Sequence, residues 1–271
     1  VPKLPKLPAP PLPSALKEPP PRPGDGNGTK AGPLQGAQAA GINVVDWVDE
    51  RTSLSGAARW LMFRKVPKGT NWFYTLGSAT MFAFLSQAVT GVFLAMYYRP
   101  DPSGGAYESI RYVTNDVFLG QFVRGMHKWG SSVMVILVFL HMGRTFFFGA
   151  YKYPRELNWV IGVVLLILTM TMSFTGYLLP FDQRAYWATI VGVNINGTGP
   201  LIGPYLSDFL RGGSEFGATT LSRFYAIHML LVPGLLAALI GAHLYLVAKL
   251  GTTAPPWTKA EKSPELREAE V

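Results

Sequence analysis

The sequence predicts an all-α membrane protein, a bundle of four transmembrane helices with amphipathic helices on the membrane surface. Three observations lead there. The 271 residues are 49% hydrophobic and 13% aromatic, and the mean hydropathy is positive, too apolar for an ordinary water-soluble domain of this length. Four apolar runs, near 72–98, 122–149, 158–179 and 224–250, each reach the roughly 20 residues needed to cross a bilayer. All four histidines, His127, His141, His228 and His243, fall inside the second and fourth of these runs.

Residues 1–40 form a proline-rich extension. Positions 1–33 hold 11 of the 22 prolines and few large apolar residues beyond leucine, so the segment is expected to be extended or disordered, either as a tether or as a polyproline arm on a partner. Residues 41–70 form a second region, in which Val45, Trp47, Val48, Leu54, Ala58, Leu61 and Met62 recur among charges at helical spacing. One or two amphipathic helices on the cytoplasmic membrane face are expected. Residues 71–251 carry the four spans, and 252–271 form a C-terminal tail. The stretch RPDPSGGAYESIRYVTNDVFLG is polar and turn-rich and reads as a connection outside the membrane. YKYPREL reads as a short turn, which makes spans two and three antiparallel neighbours. The connection 180–222 is too apolar for a surface loop and should fold into short helices at the outer interface. No internal repeat and no secretory leader pattern is evident.

The net charge of +8 does not point to nucleic acid. Seventeen of the 24 lysines and arginines fall before the first span, from the end of span two to the start of span three, or from the end of span four onward, which by the positive-inside rule predicts that both termini are cytoplasmic. The absence of cysteine excludes disulfides, iron–sulfur clusters and thioether-attached haem on this chain.

His127 and His141 are 14 residues apart, and His228 and His243 are 15 apart. At 1.5 Å rise per residue each pair spans roughly 21 Å along its helix, and 14 steps return a side chain to within roughly 40° of its starting direction. Spans two and four cross the membrane in the same sense. His127 and His228 therefore share one depth, and His141 and His243 the other. Two facing imidazoles at each of two levels suit two six-coordinate haems stacked through a four-helix bundle. A single zinc ion could not gather ligands so far apart. Hydrogen bonding across helices is the ordinary use of one membrane histidine; four in two matched pairs favour the haem reading.

Gly77 and Gly91 on span one, and Gly162 and Gly176 on span three, repeat the 14-residue period. A flat macrocycle against a helix needs the side chain removed at its level; close helix–helix approach is the alternative. Arg124 precedes His127 by three residues and Arg144 follows His141 by three. Each is placed to meet a haem propionate or simply to snorkel to the headgroups.

FVRGMHKWGSSVMVILVFLHMGRTFFFGAYKYPRELNWVIGVVL, TGYLLPFDQRAYWA and RFYAIHMLLVPGLLAALIGAHL closely resemble cytochrome b of quinol-oxidising bc and bf complexes. The resemblance runs from about residue 45 to 257. The 15-residue second spacing and four spans resemble the short, split form of the chloroplast bf complex, and the helices also resemble actinobacterial cytochrome b. The resemblance implies two non-covalent b-type haems (iron protoporphyrin IX). His127 and His228 would ligate the low-potential haem near the outer side, and His141 and His243 the high-potential haem near the cytoplasm. It implies quinol oxidation at an outer pocket, quinone reduction at the inner side and proton translocation, with menaquinol ahead of ubiquinol. Phe174, Tyr177 and the 185–195 segment, Val191 included, would line the outer pocket. The implied partners are a Rieske iron–sulfur protein, a subunit-IV-like second half of cytochrome b carrying a Pro-Glu-Trp-Tyr motif, and a c-type cytochrome. The assembly would be a homodimeric complex in the bacterial plasma membrane, and no catalytic residue would act on this chain alone.

The sequence departs from the family in several places. It has no Pro-Glu-Trp-Tyr motif, and SPELRE near the end is not one. Thr75 stands where the chloroplast form has the cysteine that attaches an extra haem, so no covalently held third haem is expected. Ala248 stands where relatives often have a basic residue at the inner site, and Phe181 replaces a usual tryptophan in LPFDQ. Two other readings remain open: a b-type membrane anchor linking quinone to a soluble dehydrogenase, and a non-redox transporter or scaffold.

Overall fold

A computed structural model describes Val44, residues 46–53, Gly56 and residues 66–257. The expected proline-rich extension (1–40), Val45, the 54–62 part of the amphipathic region apart from Gly56, and the tail beyond Trp257 lie outside the described residues. The chain divides into two compact units, Val1–Lys65 and Val66–Val271. In the first, residues 46–52 are helical. Thr52 Oγ1 donates to the Val48 carbonyl at 2.8 Å, and the Arg51 guanidinium stacks 4.1 Å from the Trp47 ring centroid.

The second unit is helical throughout its regular structure. A 3-10 turn, Trp72–Thr75, opens on Asn71, whose side chain accepts from the Phe73 amide at 3.2 Å. It leads into α1 (Leu76–Ala95), α2 (Gly105–Asn115), α3 (Gly120–Phe147), α4 (Glu156–Tyr177), α5 (Gln183–Gly197), α6 (Gly203–Arg211) and α7 (Ala218–Ala226). A π-helical turn, Ile227–Leu231, joins α7 to α8 (Val232–Leu250). Among the described residues, four segments are long and apolar enough to span a membrane: Trp72–Ala95, Gly120–Phe147, Glu156–Tyr177 and Ala218–Leu250.

Three expectations need correcting in detail. The first span ends at Ala95 rather than residue 98. The last begins at Ala218 rather than 224, and at 33 residues its roughly 50 Å length exceeds a hydrocarbon core of about 30 Å. The connection between the first two spans is not merely turn-rich, since α2 forms within it. Its apolar face is narrow: Ala106, Ser109 and Val113 are buried, at spacings of three and four.

Packing follows two pairs. α1 lies along α3, and α4 along α8. The consecutive helices α3 and α4, joined through the 149–155 turn, touch far less than either touches its own mate. The largest buried cluster is not in mid-span. It gathers at the end carrying the short helices, where Ala106, Leu178, Val193, Leu210, Leu221, Phe224, Ile227, Val232 and Leu236 meet. The spans themselves bury few side chains, as expected where the solvent is lipid and apolar side chains need not be hidden from it.

Helix ends are satisfied locally. Asp182 caps α5 by accepting from the Ala185 amide at 2.8 Å. Thr220 Oγ1 accepts from the Gly217 amide and donates to the Arg211 carbonyl, tying α7 to the end of α6. α8 stops at Gly251, whose φ of 71° suits glycine. Arg155, before α4, donates to the Leu250 and Gly251 carbonyls at 3.2 Å each. Those carbonyls would otherwise lack partners in the helix.

Candidate functional site

α3 presents His127 and His141, and the last span presents His228 from its π turn and His243 from α8. The rings meet in two pairs. His127 and His228 have centroids 6.3 Å apart at an interplanar angle of 79°. His141 and His243 lie 6.4 Å apart at 78°. The near-identity of the pairs needs explaining, because the two spacings differ by one residue. In a regular α-helix 15 steps overshoot by roughly 60°, whereas 14 fall short by roughly 40°. The π turn takes up the extra residue, so both helices present their imidazoles on matching faces.

The four glycines each lie against one of these rings from the neighbouring helix. A Cβ on Gly91 would sit 3.2 Å from His127 Cε1, and on Gly77 3.1 Å from His141 Cε1. On Gly176 it would sit 2.5 Å from His228 Cε1, and on Gly162 3.9 Å from His243 Cε1. α1 thus makes room for the imidazoles of α3, and α4 for those of the last span, with Gly176 the tightest of the four.

The two arginines part company. The Arg144 guanidinium lies 3.7 Å over the Tyr74 ring and 5.0 Å from that of Phe148. Its Nε and Nη2 are buried with no hydrogen bond. Tyr74 is itself anchored, donating to the Thr253 carbonyl at 3.0 Å. Arg124 turns instead toward α2 and donates to Thr114 Oγ1 at 3.3 Å. There it lines a 280 Å³ cleft with Tyr107, Arg111, Asn115, Pro180 and Asp182.

A second cavity of about 440 Å³ opens between α4 and α5. Phe174, Tyr177 and Val191 all line it, with Ser173, Ala188, Thr189, Gly192 and Ile195. It is an open groove with a mostly apolar lining. Phe174 forms its inner wall, packed edge-on at 5.5 Å against Phe224 and close over Gly192. The next residue, Thr175, contacts His228, so one turn of α4 serves both cavity and histidine pair.

Sequence reasoning missed the groups behind the imidazoles. Thr90 Oγ1 lies 2.9 Å from His127 Nδ1. Thr175 Oγ1 lies 3.3 Å from His228 Nδ1, and the Met172 carbonyl lies 3.0 Å from that same atom. Tyr74 was also missed. Threonine bonded to its own helix is common in apolar helices, and nothing in its spacing marks it.

Residues 61–251 match the family model Cytochrome b/b6/petB. The chain belongs to the cytochrome b/b6 family. It is 44% identical over 220 residues to the menaquinol:cytochrome c reductase cytochrome b subunit of Geobacillus thermodenitrificans, covering 78% of this chain and 98% of that protein. It is 42% identical over 213 residues to cytochrome b6 of Heliobacterium modesticaldum, covering 78% of this chain and all of that one. Among solved structures, a chain of a hyperthermophilic respiratory Complex III superposes with a TM-score of 0.72 at 31% identity. That match covers 82% of this chain and 59% of the other, so this chain spans well under two thirds of that protein's length.

A cytochrome b of this family binds haem b and quinol, and the residues present fit both. Two imidazoles that share one iron along a common axis have ring centres roughly 6.2 Å apart, from metal–nitrogen bonds of about 2.0 Å. The observed separations are 6.3 and 6.4 Å. At His127 and His228 the Nδ1 atom is engaged by protein, which leaves Nε2 as the free donor of each ring. The buried, unpaired Nε and Nη2 of Arg144 suit a carboxylate such as a haem propionate.

Proposed function

We propose that this chain is the di-haem cytochrome b subunit of a quinol:cytochrome c, or equivalent acceptor, oxidoreductase. The observation that carries the reading is the pair of facing histidine sets at two levels of one bundle, with an apolar cavity against one of them. His127 and His228 would hold one b-type haem, and His141 and His243 the other. When bound, haem iron supplies a one-electron carrier at each level, and the two levels together form a path across the membrane.

The chain's own residues do the rest. His127 and His228 present Nε2, and each of the four imidazoles lies against a glycine of the neighbouring helix. Arg144, held flat by Tyr74, offers two buried N–H donors to a carboxylate. Gly77, Gly91, Gly162 and Gly176 keep the space around the rings free of side chains, and Arg124, bonded to Thr114, is one turn of α3 from His127. Phe174, Tyr177 and Val191 would receive the quinol ring and exclude water from it, with menaquinol the expected form. Ala188, Thr189 and Gly192 complete that wall.

The reading includes a complex. A Rieske iron–sulfur protein, a subunit-IV-like chain carrying the Pro-Glu-Trp-Tyr motif, a c-type cytochrome and a second copy of the whole would complete it. Its membrane would be the bacterial plasma membrane, with both termini cytoplasmic as the distribution of basic residues favours. Purification from native membranes tests this directly. Two b-type haems per chain in a reduced-minus-oxidised spectrum, together with a Rieske protein, are expected. A complex with one haem, or with haem but no Rieske partner, would overturn the proposal.

A further inference from the structure

We propose that Thr90 and Thr175 set the redox asymmetry of the two iron sites, by accepting the Nδ1 protons of His127 and His228 and so lowering the potential of the haem held by that pair. The inference rests on the two-haem reading above. By their ring geometry the two histidine pairs are nearly indistinguishable, at 6.3 Å and 79° against 6.4 Å and 78°. What stands behind the rings can then tell them apart, alongside the different settings of Arg124 and Arg144.

Behind His127 and His228 stand threonine hydroxyls. A threonine hydroxyl has one proton to give. Thr90 Oγ1 gives it to the Ser86 carbonyl at 2.6 Å, and Thr175 Oγ1 to the Thr171 carbonyl at 2.9 Å. With its proton so placed, each oxygen offers a lone pair to the imidazole it faces. At His228 the Met172 carbonyl, which can only accept, lies 3.0 Å from the same Nδ1 and makes it the protonated atom; the proposal assigns His127 the same tautomer. Thr90 is 6% exposed and Thr175 fully buried, so water does not compete for these bonds.

The other pair has threonines nearby on the same two helices, but they do not reach the rings. Thr80 Oγ1 donates to the Leu76 carbonyl and Thr169 Oγ1 to the Leu165 carbonyl, each at 2.8 Å. Among the described residues neither hydroxyl meets His141 or His243. Nδ1 of His243 is buried with no hydrogen-bond partner.

A ligand histidine that donates its second N–H becomes a stronger donor through the nitrogen on the metal. That favours the ferric over the ferrous state and lowers the potential. The couple is a single electron between ferric and ferrous iron. No bond forms or breaks, and the Nδ1 proton stays on the ring.

The test is a potentiometric titration of the b-type absorbance in the complex purified from its native membrane. Unmodified chain, Thr90→Val, Thr175→Val and the two serine variants are compared. Each valine should move the lower-potential component upward, by a three- to tenfold change in the oxidised-to-reduced ratio at fixed potential. Tenfold corresponds to about 59 mV for one electron. The effect stays moderate at His228 because the Met172 carbonyl remains as an acceptor. The upper component should not move, and serine should restore the original value. A shift of the upper component, of both together, or of neither overturns the inference while the two-haem reading stands. An unmodified complex with fewer than two b-type components would overturn that reading as well. If a valine chain fails to assemble, redox-difference infrared spectra of the unmodified complex decide. A more strongly hydrogen-bonded imidazole N–H in the lower-potential component supports the inference, and identical signatures in both components overturn it.

Discussion

Gly176 lies so close to the His228 ring that an added Cβ would sit 2.5 Å from its Cε1. Neither the helix backbone nor an imidazole wedged between Thr175 and Met172 can yield that distance cheaply. At Gly162 the corresponding distance to His243 is 3.9 Å, an ordinary contact. Gly176→Ala should therefore displace His228, cost about 1–3 kcal/mol through overpacking and lose the haem of that pair. Gly162→Ala should retain both. Haem content per chain by pyridine haemochrome separates the two variants. Equal retention in both would show that the glycine is not there for the ring.

The π turn makes a second prediction. If Ile227–Leu231 takes up the extra residue of the second histidine spacing, deleting Leu230 should convert that turn to regular α-helix and leave a 14-residue spacing like that of α3. Both haems should then remain. Deleting Ala237, inside α8, would keep the π turn and rotate His243 by about 100° away from His141, with loss of one haem. Spectra of the two deletions decide, and loss of haem from both would remove the compensating role given to the turn.

Arg155 supports the far end of the same span. Its two hydrogen bonds to the Leu250 and Gly251 carbonyls bring a charge to the C-terminus of α8, where the helix dipole favours a cation. Arg155→Ala should destabilise the purified complex by about 1–3 kcal/mol and lower its thermal midpoint by a few degrees. Haem content at low temperature should be unchanged. A midpoint equal to that of the unmodified complex would show these bonds replaced by water.

How much of this was legible beforehand depended on the residue. The four spans were readable because a bilayer demands long apolar runs, and only their ends moved. The pairing of His127 with His228 and of His141 with His243 followed from spacing and the sense of crossing. The π turn did not, since one residue in fifteen leaves no mark in the hydropathy. α2 was missed because its buried side, Ala106, Ser109 and Val113, is too small and polar to stand out. Arg124 and Arg144 are equivalent in sequence, each three residues from a histidine. They diverge because α2 brings Thr114 to Arg124, while Tyr74 and Phe148 bracket Arg144. Such differences arise from neighbours distant in sequence, which local periodicity does not encode.

The cavity between α4 and α5 depends on a close approach at Gly192. A Cβ there would fall 2.5 Å from Cε2 of Phe174, and Phe174 cannot retreat freely because Phe224, fully buried, stands behind it at 5.5 Å. Gly192→Val should push the Phe174 ring into the cavity. The iron sites would be spared, since Val191 and Gly192 touch none of the four histidines in the contacts described. Quinol-driven reduction of the b-type absorbance, followed by stopped flow, should slow at least tenfold, a loss of about 1.4 kcal/mol in transition-state stabilisation. Haem content should stay at its original level. Phe174→Ala in the same chain should return much of the rate by reopening the space. If Gly192→Val alone reduces at the original rate with haem intact, quinol does not enter between these helices, and the roles given to Phe174, Tyr177 and Val191 fall with it.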